Sequence, residues 1–229
     1  MATVAPETDA DVAGLVLLAV QGAEYWAVRR GAPSAWPVIP VPLGAQELAD
    51  WWTHYQNHLV GRPAVLLGLA GALQPAWRVG AAVVYQGCTA YPSGAWRACD
   101  PQLTQWLAQR LALPLVQGLT TPRVVTQPAD KQRLGEQFAC GVVDMEGYVL
   151  LERLPRLGMV RVVSDGMHQP LPDLNRAIQA GRVQPLLLAK VLLQRPGAAW
   201  ALVRHSQQAL AVLTHLTQRL TGNAEKKLE

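Results

Sequence analysis

A chain of 229 residues, half of them hydrophobic and 16% charged, is long enough to bury a sizeable core and too apolar for intrinsic disorder. Its net charge of +4 is carried by arginines scattered along the sequence rather than gathered in a run, which argues against a nucleic-acid partner. The longest strongly apolar run, residues 14–20, is far too short to span a bilayer, so no integral membrane segment is expected.

No stretch reads as a linker, and the expectation is one domain over residues 1–229, with 1–11 and 222–229 as loose ends. The first eleven residues have neither a basic start nor an apolar run, which argues against a signal peptide. Cys88, Cys99 and Cys140 lack metal-ligand spacing and cannot all pair, which fits a reducing, cytoplasmic setting. Eight tryptophans against one phenylalanine is unusual usage; some are expected to face a partner subunit or an apolar ligand, others to pack.

Short apolar runs alternate with longer segments of helical period, the pattern of an α/β protein. Strands are predicted at 14–20, 37–41, 64–69, 82–86, 115–119, 140–143 and 160–164, and helices at 45–58, 101–111, 129–138 and 146–157. Asp100 before Pro101 is a helix start, and Gly158 is read as closing the helix that begins near Glu146. On the helix at 129–138, Asp130, Lys131, Arg133 and Glu136 form a solvated face, with Leu134 and Phe138 inward. Beyond Asp173 the pattern is wholly helical, with helices at 186–193 and 198–220 separated by Pro196-Gly197.

Three segments carry chemistry. Gly68-Leu69-Ala70-Gly71-Ala72-Leu73 is read as a glycine-rich turn after a buried strand, where small residues such as Ala70 and Gly71 let the backbone approach a ligand. Asp144-Met145-Glu146-Gly147 sits where a strand ends and a helix begins, the edge at which α/β sheets gather ligand residues. Its acids are equally suited to capping that helix. Ser164-Asp165 repeats the arrangement, and two parallel strands each delivering an acid to one edge point beyond capping.

Strand, Asp-Met-Glu-Gly, helix, strand and then Arg161-Val162-Val163-Ser164-Asp165 resembles the matching block of the nucleoside phosphorylase/nucleosidase superfamily. Arg78-Val79-Gly80 after the small-residue segment and Lys131-Gln132-Arg133-Leu134 extend the likeness, which covers about residues 14–173. Leu171-Pro172-Asp173-Leu174 is most similar to the hopanoid-associated branch. The resemblance implies a three-layer α/β/α sandwich on a mixed sheet, a homo-oligomer, no cofactor or metal, and cleavage of a purine nucleoside's N-glycosidic bond, by water or by phosphate. It implies that Glu146 binds the ribose hydroxyls, that Met145 packs beneath the sugar and that Asp165 protonates the leaving purine. Ser164, Arg161, Ala70, Gly71 and Val124 belong to the implied substrate site.

A carboxylate near the cation-like sugar and a proton donor near the base lower the same barrier. Glu24 matches the glutamate with which nucleosidases activate water; its other reading is a helix-start residue. Phosphorylases resemble one another in carrying an arginine in that loop, where this chain has only Arg29 and Arg30 farther on. Leu69 stands where the family often has Ser or Thr, and Val124 where nucleosidases stack an aromatic ring on the purine. Those departures leave open an altered substrate, here one with an apolar 5′ substituent, or a catalytically weak relative that binds a nucleoside or an apolar ligand. Asp50, His54 and His58 share a helix face that reads as surface rather than as a metal site, and His168 reads as a loop residue beside the site.

Overall fold

The computed structural model describes residues 14–44, 47–194 and 196–222. The calls on residues 1–11 and on most of 222–229, and the start of the helix expected from residue 45, lie outside the described residues.

In chain order the elements are β1 (Val16–Val20), α1 (Ala23–Gly31), β2 (Val38–Val41), α2 (Leu48–Leu59), β3 (Ala64–Ala72), β4 (Ala82–Ala90), β5 (Trp96–Ala98), α3 (Pro101–Leu111), β6 (Leu115–Thr120), α4 (Pro128–Phe138), β7 (Val142–Asp144), α5 (Gly147–Leu151) and β8 (Leu157–Asp165). A short antiparallel hairpin, Ile178–Gln179 with Arg182–Val183, then precedes α6 (Pro185–Gln194) and α7 (Pro196–Thr221).

The central sheet is mixed and flanked by helices, as the sequence implied. β1 is buried along its whole length and alternates its faces: Leu15, Leu17 and Ala19 pack with α1, α3 and α7, whereas Val16 and Leu18 pack with α2 and α5. β3 runs parallel to β1 and to β8; β8 is antiparallel to β4, β4 parallel to β6, β6 parallel to β7, and β7 antiparallel to β3. These pairings close the centre of the sheet into a ring. At its rim, Gly71 of β3 pairs with Val143 on one side and Asp165 on the other.

Several expectations are corrected. β7 and β8 run in opposite directions relative to β3, so their acids meet through the far end of β3 rather than along one parallel edge. Residues 68–72 are extended strand, not a turn. The helix after Glu146 ends at Leu151 because Pro155 cannot continue it, and Gly158 lies in β8, where a β-carbon would strike Leu103 and Leu107. The stretch after Asp173 is first a 3-10 turn (Leu174–Ala177) and the hairpin, whose Ala180-Gly181 corner holds two positive φ angles, 47° and 65°. α1, which the sequence reading did not draw, follows Gly22.

Candidate active site

β1 ends at Val20, and Gly22, at φ 108°, turns the chain into α1 so that Glu24 sits in the first helical turn. The Leu69 N–H donates to Glu24 Oε2 at 2.9 Å, tying this carboxyl to β3. Burial of the carboxyl pushes it up to about 7, against the pull of Arg161 and of the Leu69 hydrogen bond, with Asp144 adding to the rise.

Asp144 and Glu146 divide the two roles that the sequence left open. Asp144 Oδ1 accepts from Thr120 Oγ1 at 2.7 Å and from the Gly147 N–H at 3.2 Å, so Asp144 holds the start of α5. Its Oδ2 accepts from Arg161 Nε at 3.2 Å and Nη2 at 2.7 Å. Glu146, 3% exposed, makes no capping bond. The Gly44 N–H donates to its Oε1 at 3.0 Å, and Arg161 Nη2 lies 3.5 Å from Oε2. Burial drives the Glu146 carboxyl up to about 8; Arg161 opposes this, and Asp144 and Glu24 reinforce it.

Arg161 is fully buried. Burial works against its charge, yet Asp144, Tyr85, Glu146 and Glu24 surround it and raise its pKa. One cation thus underlies three carboxyl groups.

Asp165 closes β8. Ser164 Oγ donates to its Oδ1 at 2.8 Å, and Lys131 Nζ from α4 donates to its Oδ2 and, at 2.9 Å, to the Gly166 carbonyl. Lys131 is therefore not on the solvated face assigned to it from sequence: it is fully buried beside Leu134 and Gly135. The small residues of β3 make room for these groups. A β-carbon on Gly68 would collide with the Arg161 guanidinium and the Glu24 carboxylate, and one on Gly71 would lie 2.9 Å from Asp165 Oδ2.

A cavity of about 760 Å³ brings together Glu24, Leu69, Ala70, Gly71, Val124, Met145, Glu146, Ser164 and Asp165. Every residue assigned to the site from sequence lines it except Arg161, which lies behind the carboxylates. Val124 is fixed by a two-way bond to Asn175, whose Oδ1 accepts from the Val124 N–H and whose Nδ2 donates to its carbonyl. Sequence reasoning missed Lys131, Gly44 and Thr120 as supports and Arg123 and Arg182 as lining residues. Lys131 alone carried a signal, its place in the Lys131-Gln132-Arg133-Leu134 likeness, which did not reveal that it supports Asp165.

Arg29, whose Nη1 donates to the Pro33 carbonyl at 3.1 Å, and Arg30 do not line the cavity, nor does the exposed His168. His54 and His58 are exposed on α2, where His54 Nδ1 lies 2.8 Å from the Asp50 carbonyl. Cys88, Cys99 and Cys140 are buried and free, and burial pushes the Cys99 thiol up to about 12.

No protein-family profile matches the chain, and no curated protein sequence matches it. Solved structures do. A futalosine hydrolase of Helicobacter pylori is similar with a TM-score of 0.65 at 12% identity, covering 91% of this chain and 97% of that one. A mutant methylthioadenosine/S-adenosylhomocysteine nucleosidase of Helicobacter pylori, with 5′-methylthioadenosine in its active site, gives 0.64 at 12% identity, over 93% and 98%. The nucleosidase of the same organism with butyl-thio-DADMe-Immucillin-A gives 0.62 at 13% identity, over 93% and 97%. Across nearly its whole length, the chain shares the fold of these nucleosidases and of the futalosine hydrolase.

Proposed function

We propose that this cavity hydrolyses the N-glycosidic bond of a purine nucleoside. The observation that carries the reading is the convergence of Glu24, Glu146 and Asp165 on one cavity. Glycosidic cleavage needs three things at once: an activated acceptor, a partner for the cation-like sugar and a proton for the leaving base.

In this reading Glu24 takes the proton from the attacking water. Its elevated pKa of about 7 makes it a stronger base than an ordinary carboxylate, and near neutral pH it still exists partly ionised. Glu146 binds the ribose hydroxyls with Met145 packed beneath the sugar, and Asp165, whose oxygens accept from Ser164 and Lys131, relays to the leaving purine a proton drawn from the Lys131 ammonium bonded to it. Arg161 acts from behind: it holds Asp144 and Glu146 in place and keeps negative charge near the sugar from becoming prohibitive.

Water is favoured over phosphate because Glu24 faces the cavity while Arg29 and Arg30 do not. The solved neighbours that hold 5′-thio ligands support a 5′-substituted adenosine as the substrate. A second reading, a nucleoside binder with little turnover, draws on Leu69 and Val124, apolar residues that line the cavity where the superfamily resemblance implies a hydroxyl and an aromatic ring.

The test is release of adenine from adenosine and methylthioadenosine, followed with and without phosphate. Release in phosphate-free buffer is expected, with free ribose as the second product from adenosine and methylthioribose from methylthioadenosine. Strict dependence on phosphate with the corresponding sugar 1-phosphate formed would refute the hydrolytic reading, and binding without release would establish the second one.

A further inference from the structure

The end of the chain has a surface that the nucleoside reading does not use. On α6, Leu186 and Leu193 are 86% and 81% exposed, and Lys190 lies between them on the same helical face. On α7, Trp200 is 66% exposed with the Arg204 guanidinium 5.4 Å from its ring, and Val203 is exposed beside it. The exposed Arg182 and Val183 of the preceding hairpin also line the cavity. From Leu174 to Ala224 the sequence has six Lys/Arg and no Asp/Glu, so this stretch more than accounts for the chain's net charge of +4.

We propose that α6 and the first turns of α7 dock on an anionic lipid surface. Large apolar side chains fully in water, interleaved with long basic ones, are what a helix lying in a headgroup layer presents: Leu enters the acyl boundary while Lys and Arg reach back to phosphate. Tryptophan suits the same depth, apolar in its body and polar at its N–H. A second copy of the chain is a poorer occupant. A two-fold contact would set this basic face against itself, so like charges would meet at the point where the apolar groups are buried. Attachment is peripheral, because no helix among the described residues is long and apolar enough to cross a membrane.

The inward sides of the same helices contribute Leu188 and Leu202 to the cavity. Docking therefore sets the cavity, with Arg182 and Val183 at its edge, next to the bilayer surface.

The experiment is flotation of the full-length protein with vesicles of phosphatidylcholine alone and of phosphatidylcholine with phosphatidylglycerol. We expect about tenfold more protein on the anionic vesicles, reduced by added salt. Leu186→Ser with Leu193→Ser should abolish flotation, and Lys190→Glu should weaken it, with no change in thermal midpoint because all three side chains are already in water. Absence of wild-type flotation, or flotation indifferent to the leucine changes, would overturn the proposal. So would a leucine variant whose only change, by light scattering, is loss of a dimer. Vesicle binding needs no turnover, so this result and the hydrolysis assay succeed or fail separately.

Discussion

Lys131 and Asp165 are 34 residues apart in sequence and form a buried ion pair, with the Lys131 ammonium also bonded to the Gly166 carbonyl. α4 thereby fixes one oxygen of the proposed proton donor, and Ser164 fixes the other. Removing one member of a buried pair leaves a bare charge and costs about 3–5 kcal/mol. Lys131→Met is therefore expected to lower the thermal midpoint and to cut kcat while leaving KM nearly unchanged, with Lys131→Arg recovering part of both. Asp165→Asn also strands a charge, so its effect on turnover is cleanest in the Lys131→Met/Asp165→Asn double variant. Pairing predicts that the double variant is more stable than either single one, as read by thermal denaturation. Additive losses would dissolve the coupling.

The carboxyls of Glu24 and Glu146 are pushed from about 4.5 up to about 7 and about 8. The folded state consequently binds more protons than the unfolded chain between these values, and stability falls as pH rises: from about 4.5 to about 7 through Glu24 and on to about 8 through Glu146. Above that range their contribution is flat. Urea unfolding at a series of pH values should show this decline, and Glu24→Gln and Glu146→Gln should each flatten part of it. Activity moves the other way. If ionised Glu24 takes the proton from water, kcat/KM rises with pH through about 7 in phosphate-free buffer. Glu24→Gln should lose roughly 10²–10⁴-fold of turnover and that ascending limb together. A limb that survives the substitution would assign it to another group.

Glu24, inside α1, was reached through the family resemblance, whereas Asp144, Glu146 and Asp165 were legible in the sequence because each stands at or just beyond a strand terminus, and strand termini are set by local hydrophobic runs. What decides their roles was not. Asp144 and Glu146 are indistinguishable as capping residues in one dimension; both line the cavity, and only the approach of Thr120, Arg161 and Gly44 shows that the first holds the start of α5 while the second makes no capping bond. Lys131 looked solvated because Asp130, Arg133 and Glu136 surround it in sequence, yet it shares the buried helix face with Leu134. The hairpin at Ile178–Val183 was hidden because its corner uses Ala180, a residue that does not advertise a positive φ. The small-residue segment was read as a turn, since glycine in sequence does not reveal whether it bends a chain or clears space beside a straight one.

That clearance is testable at Gly68. Its φ lies outside the left-handed region, so alanine is tolerated by the backbone, and the conflict is purely with the Arg161 and Glu24 side chains. Gly68→Ala should displace both groups and reduce kcat/KM by about 10²-fold, the scale on which catalytic geometry responds to a shift of about 1 Å. Gly71→Ala presses instead on Asp165 Oδ2 at 2.9 Å and Val143 at 3.3 Å. It should act through the proton donor, giving a loss that is small in the Asp165→Asn background and large in the wild type. Steady-state kinetics on the four proteins separates the two effects, and equal losses in both backgrounds would mean that Gly71 serves packing alone.

The cavity's apolar lining bears on which nucleoside it holds. Val124 offers no ring to stack on a purine, a loss of roughly 0.5–1.5 kcal/mol. Leu171, Leu174, Val183, Leu188, Leu202 and Leu210 add apolar surface to the same cavity. Each buried methylene contributes about 0.8 kcal/mol, so two suffice to offset the missing stack. If the 5′ group lies against these side chains, kcat/KM should climb about fourfold per methylene from adenosine through methylthioadenosine to longer 5′-alkylthio analogues, until the space is filled. Leu202→Gln should flatten the series without altering hydrolysis of adenosine itself, because it removes apolar contact and touches none of the acids. The series tests the direction in which the substituent points as well as its chemistry: flat or falling kcat/KM with chain length would show that the leucines pack against one another and that the 5′ group faces solvent.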